Sequence, residues 1–178
     1  MFSLEKPEEL IKMRLISSLK NNFSNSPTEL EKLFSLSQPD IIVVDKNQEI
    51  ALLVDIQLQE RQSKKLLSEV TQLYLQNAEK DIRFAMSANL QNITIFKSNS
   101  EHLLNPVISL FSADILSHYE PEFSNSKILY LYLRTLIEAW LRDLAYHWKS
   151  EIPPGTKELS KIGLLEKMKD GDTYTQDE

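Results

Sequence analysis

Two acids and a glutamine stand where a plain apolar core would not put them. Between Gln38 and Gln57 the chain holds two apolar runs, Ile41–Val44 and Ile50–Val54, on either side of a polar turn, Asp45–Glu49. Pro39-Asp40 opens the first run and Asp55-Ile56-Gln57 closes the second. Runs of Ile, Val and Leu of this kind predict strands buried on both faces, joined as a β-hairpin. Carboxylates that come together at the ends of such strands can share one hard divalent cation through their oxygens. The bland alternatives are a turn aspartate that starts a strand, for Asp40, and solvent-facing strand-end residues, for Asp55 and Gln57.

Which alternative holds depends on register. Side chains alternate along a strand, so Asp55 and Gln57 share a face and Val54 and Ile56 take the other. With an even loop, Val44 faces Glu49, Ile42 faces Ala51 and Asp40 faces Leu53. Asp55 is then a diagonal neighbour of Asp40 on the same face, roughly 7–8 Å away between backbones. An odd loop sets the two acids on opposite faces and ends the metal argument.

The surrounding chain supplies the supporting elements. A helix is expected over residues 7–21, with Pro7 in its first turn and Glu8 and Glu9 at its positive end. A short turn capped by Thr28 and Glu31 follows. After the hairpin, Lys64–Glu79 predicts an amphipathic helix with Leu66, Val70, Leu73 and Tyr74 along one side. Residues 82–88 and 92–97 read as strands joined tightly through Asn89-Leu90-Gln91. The order α-β-β-α-β-β implies an α/β fold, a mixed sheet with helices against it.

The remainder reads as helical. Asn105–Tyr119 is expected to be a helix with Ile108, Phe111, Ile115 and Leu116 inward. Asn125–Lys149 is expected to be a long helix carrying Leu129, Leu133, Leu136, Ile137, Trp140, Leu144 and Trp148 as a stripe. Arg134, Glu138 and Arg142 form its solvated edge. The stripe packs on the core or makes a homodimer interface. Lys157–Lys169 suggests a short helix, and the acidic tail from Asp170 is expected to be disordered. The expected organisation is therefore a core over 1–100, a helical extension over 101–150 and a short helix with a flexible tail over 151–178.

Composition narrows the function classes. The 178 residues are 42% apolar, which sustains a core. The chain has no cysteine, which removes thiol chemistry and Cys-based metal sites and suits a cytoplasmic setting. Three glycines leave no phosphate-cradling Gly-rich loop. His102, His118 and His147 are too far apart for a His-based zinc motif. No run of about 18 uncharged apolar residues predicts a membrane span. The net charge of −6 counts against a protein that coats nucleic-acid backbone.

The pair Pro39-Asp40 and Asp55-Ile56-Gln57 resembles the signature of the PD-(D/E)xK nuclease superfamily, an acid on one strand and acid-x-Lys on the next. The resemblance covers about residues 7–97 and implies a restriction-endonuclease-like fold with an αβββαβ core, one strand of which is not assigned here. It implies metal-assisted phosphodiester hydrolysis, with DNA as the partner. Asp40, Asp55 and the Ile56 carbonyl would hold Mg²⁺ or Mn²⁺, joined by Glu9 or Glu8 from the first helix. Gln72 and Tyr74 match a Gln and Tyr that some exonuclease-like members carry on the helix after the signature. Gln57 departs from the pattern: it replaces the lysine, and it can hydrogen-bond a water but carries no charge. Lys64 or Lys65 can supply that charge from the next helix. The two leading expectations are a metal-dependent DNA nuclease and an inactive relative that serves as an interaction module; a homodimeric structural protein built on the 125–149 helix is the third.

Overall fold

The computed structural model describes residues 39–58, 84–98 and 104–175. Six strands in these residues form one mixed sheet: β1 Ile41–Val44, β2 Ile50–Ile56, β3 Phe84–Ala88, β4 Asn92–Ser98, β5 Leu104–Phe111 and β6 Asp172–Tyr174. Their order across the sheet is β5-β4-β3-β2-β1-β6. Four helices accompany them: α1 Ser112–Leu116, α2 Tyr130–Tyr146, α3 Thr156–Lys161 and α4 Leu164–Met168.

The hairpin forms where the apolar runs predict it. β1 and β2 pair antiparallel, and all of Ile41, Ile42, Val43, Val44, Ala51, Leu52, Leu53 and Val54 are fully buried, so both faces of these strands are covered. Asp45 closes the turn: its side chain accepts hydrogen bonds from the backbone N–H groups of Asn47 (2.8 Å) and Glu49 (3.0 Å). β2 and β3 run parallel, so the chain must cross over between them. The helix expected over Lys64–Glu79 in that connection lies outside the described residues, as do the helices expected over 7–21 and near Thr28. β3 and β4 pair antiparallel as expected, with Asn89 Oδ1 accepting from the N–H groups of Gln91 and Asn92, both at 2.8 Å.

α2 packs on one face of the sheet. Leu133, Leu136, Ile137, Trp140, Leu141 and Leu144 meet Ile41, Val43, Leu52, Val54 and Ile56 in a single core. Burying each large apolar side chain contributes roughly 1.5–3 kcal/mol. Leu133, Leu136, Ile137, Trp140 and Leu144 of the expected stripe are thus packed within the chain. Their helix is shorter than the expected Asn125–Lys149: Leu129 is extended and 61% exposed, and His147 ends the helix in the left-handed conformation.

Four expectations are corrected. The helix expected over Asn105–Tyr119 is instead β5 followed by the short α1. Val107, Ser109 and Phe111 alternate with Ile108 and Leu110, a period of two, and Pro106 is tolerated because β5 is an edge strand. Phe111, expected inward, is 69% exposed, whereas Ile115 and Leu116 are buried. The tail is not disordered from Asp170: Asp172–Tyr174 pairs with β1 and is buried. Gly171 permits this approach, since a Cβ there would fall 2.0 Å from the Val44 carbonyl oxygen. Finally, the edge formed by Arg134, Glu138 and Arg142 is not solvated, because Glu138 and Arg142 are each 1% exposed. Arg142 ion-pairs with Glu138 at 3.0 Å and donates through Nε to Thr173 Oγ1 at 2.7 Å, which ties β6 to α2. The short helix expected over Lys157–Lys169 is two helices, parted at Gly163 with φ +83°.

Candidate functional site at the ends of β1 and β2

The register brings Asp40 and Asp55 together by a route that loop parity alone does not show. The innermost pair, Val44↔Ile50, encloses five residues, an odd number. A bulge between Val43 and Val44 then shifts the ladder by one residue, to Val43↔Leu52 and Ile41↔Val54. The extra residue restores the even relation between the strands. The ladder ends at Ile41↔Val54, with Leu53 paired to Ile42, so Asp40 does not face Leu53 and stands with Asp55 just past the last pair. The backbone N–H of Asp40 still bonds to the Val54 carbonyl at 2.9 Å, so Asp40 is held by the hairpin.

Each carboxylate is fixed by few donors. Asp40 Oδ2 accepts from the Ile56 backbone N–H at 2.6 Å, and its Oδ1 accepts from the Tyr130 hydroxyl. Asp55 is only 9% exposed and faces Asp40, with the Gln57 side-chain amide at 3.4 Å from its Oδ2. Gln57 itself is anchored by its backbone N–H on the Ala88 carbonyl at 2.9 Å, at the end of β3. Burial, then the charge of Asp40 and a hydrogen bond to it, push Asp55 up to about 7. Burial also raises Asp40, opposed by the Ile56 N–H, the hydrogen bond from Asp55 and the charge of Arg134. Near neutral pH the two acids therefore share a proton, donated by Asp55 to Asp40.

Asp40, Asp55, Ile56 and Gln57 are thus brought to one sheet end. Glu9, Glu8, Lys64, Lys65, Gln72 and Tyr74 lie outside the described residues. Among the described residues no group of three or more His, Cys, Asp or Glu side chains is arranged to hold a metal ion. His118 and His147 serve a loop instead: their ring nitrogens lie 2.7 Å from Ser150 Oγ and 3.1 Å from the Ser150 carbonyl.

Two residues of the site escape sequence reasoning. Tyr130 reads as core and Arg134 as solvated edge, yet the Tyr130 hydroxyl bonds to Asp40 and the charge of Arg134, one turn on along α2, acts on the same carboxylate. Their spacing of four puts them on one side of a helix, which is the signal available in the sequence. What the sequence does not contain is that this side faces the ends of β1 and β2. Among the described residues no helix is long and apolar enough to cross a membrane. Compared with protein-family models, with curated proteins and with solved structures, the chain matches none.

Proposed function

We propose that the chain is a metal-dependent phosphodiesterase of the PD-(D/E)xK type, with a restriction-endonuclease-like core and DNA as its substrate. One observation carries this: two acids from adjacent strand ends come together at a site where burial opposes the ionisation of both and each charge opposes the other. The donor set fits Mg²⁺ or Mn²⁺, since hard carboxylate oxygens suit such ions and a dication would offset the repulsion between Asp40 and Asp55. Asp40, Asp55 and the Ile56 carbonyl would hold it, with Glu9 as the further acid that the resemblance supplies. When bound, the ion would polarise a phosphoryl oxygen and acidify a water.

The chain's own groups have separable tasks. The Ile56 N–H and the Tyr130 hydroxyl fix the orientation of the Asp40 carboxylate. Gln57, held by β3, can orient a water through its amide but offers no charge to a phosphate. The succession β1, β2, parallel crossover and β3 agrees with the latter part of an αβββαβ core. The sheet position beside β1, where a preceding strand of that core would pair, is held by β6 from the other end of the chain.

A second reading, an inactive relative that serves as an interaction module, is favoured by Gln57 and by the net charge of −6. A plasmid-nicking assay in Mg²⁺ or Mn²⁺ separates the two. The nuclease reading expects nicking by the wild type and its loss, by about a hundredfold or more, in Asp40→Asn and Asp55→Asn. Absence of nicking by the wild type in either metal overturns it and leaves the interaction reading.

A further inference from the structure

A nuclease site of this type needs a positive charge at the phosphate, and Gln57 provides none. We propose that Arg134, one helical turn beyond Tyr130 on α2, is the phosphate-binding cation of this site and replaces the missing lysine. The inference deepens the nuclease reading and rests on it.

Four observations support Arg134 in that role. The Tyr130 hydroxyl sits on Asp40, which fixes the N-terminal end of α2 against the acid pair. Residues four apart lie one above the other on a helix, so Arg134 shares the side of Tyr130 that meets the site. The Arg134 charge acts on Asp40, so the guanidinium is within electrostatic reach of the carboxylate. Its Nε is nevertheless buried with no hydrogen-bond partner. A buried guanidinium donor without an acceptor is costly, and the structure draws no ion pair between Arg134 and the described acids. A phosphate oxygen is the acceptor that fits best: guanidinium binds phosphate through two parallel N–H···O bonds, with a geometry an ammonium does not offer.

Further along α2 an arginine is used differently. Arg142 is ion-paired with Glu138 and donates to Thr173, although its Nη1 too is buried without a partner. A nearby cation also answers the charge problem of an acidic protein that acts on a polyanion, since one arginine at the reacting phosphate matters more there than net charge.

The test measures binding apart from cleavage. Affinity of the full chain for a fluorescein-labelled 20-base-pair DNA duplex is followed by anisotropy in Ca²⁺ against KCl concentration, for the wild type, Arg134→Gln and Arg134→Lys. Mn²⁺ binding to the same proteins is measured by calorimetry, and thermal melting checks that each is folded. Arg134→Gln is expected to bind duplex about tenfold more weakly, with the slope of log affinity against log salt reduced by about one. Arg134→Lys keeps the slope, and all three proteins keep Mn²⁺ binding. An unchanged slope in folded Arg134→Gln overturns the inference while leaving the metal site intact. Loss of Mn²⁺ binding in folded Arg134→Gln overturns it too, since Arg134 then serves the acids and not the phosphate. A wild type that binds no Mn²⁺ removes the nuclease reading itself, and the inference with it.

Discussion

Two polar clusters lie at opposite ends of α2, and they solve the same problem in opposite ways. Tyr130, Arg134, Glu138, Arg142 and Tyr146 recur every four residues. At the C-terminal end, Arg142 stands between two acids. It pairs with Glu138 at 3.0 Å, lies 3.9 Å from Asp172, donates to Thr173 and hydrogen-bonds with Tyr146. Opposite charges meet there, and the result fastens β6 to the sheet. At the N-terminal end two acids face each other, and the charge of Arg134, whose Nε has no hydrogen-bond partner, acts on Asp40. A buried cluster in which the cation is ion-paired with an acid is a fastening. One in which two acids face each other, beside a cation with no ion pair among the described residues, has room for a ligand that completes it.

The largest expected effect breaks the first cluster. Arg142→Leu leaves Glu138 and Asp172 without their cation and is expected to cost about 3–5 kcal/mol in urea denaturation. A loss under about 1 kcal/mol would remove the distinction between the two ends.

The next prediction addresses the second cluster through pH. The folded pKa of Asp55, about 7, lies above its ordinary value of 3.8. For an acid raised on folding, the folded state holds the proton that the unfolded chain has released. Stability from this group is therefore fully present below about pH 4, falls as pH rises to about 7 and is flat above that, with a slope of at most about 1.4 kcal/mol per unit. Denaturation at pH 5 and pH 8 is expected to show this decline in the wild type and its disappearance in Asp55→Asn. At pH 8 the variant is expected to be the more stable protein, which marks a residue kept at the expense of stability.

The smallest effects come from deleting one hydroxyl at each end. Thr173→Val removes the acceptor of a charged donor and is expected to cost about 1.5–3 kcal/mol. Tyr130→Phe removes a hydroxyl from a pair that still shares its proton, and is expected to cost about 1 kcal/mol. Equal losses in thermal or urea unfolding would say that both ends are fastenings.

The hairpin and the two acids were legible because strand periodicity and strand-end carboxylates are local signals. Their facing was not, because it hangs on a bulge at Val43/Val44 that compensates for an odd loop. β5 was missed because Asn105–Phe111 is followed directly by helix-forming residues, and the period of two within it was read together with them. β6 was missed because three residues carry no periodicity of their own. They become a strand only because Gly171 lets the chain up to Val44 and Arg142 waits beneath Thr173. The same long-range dependence hid Tyr130 and Arg134. A helix side rich in Arg and Glu reads as solvent-facing until the sheet it covers is known.

The central claim is that Asp40 and Asp55 form a divalent-cation site, and Mn²⁺ titration calorimetry at pH 6 and pH 8.5 tests it most directly. The account predicts saturable binding that tightens at pH 8.5, where Asp55 has lost its proton, and that disappears in Asp55→Asn. Binding that is absent at both pH values, or that survives unchanged in Asp55→Asn, would contradict it.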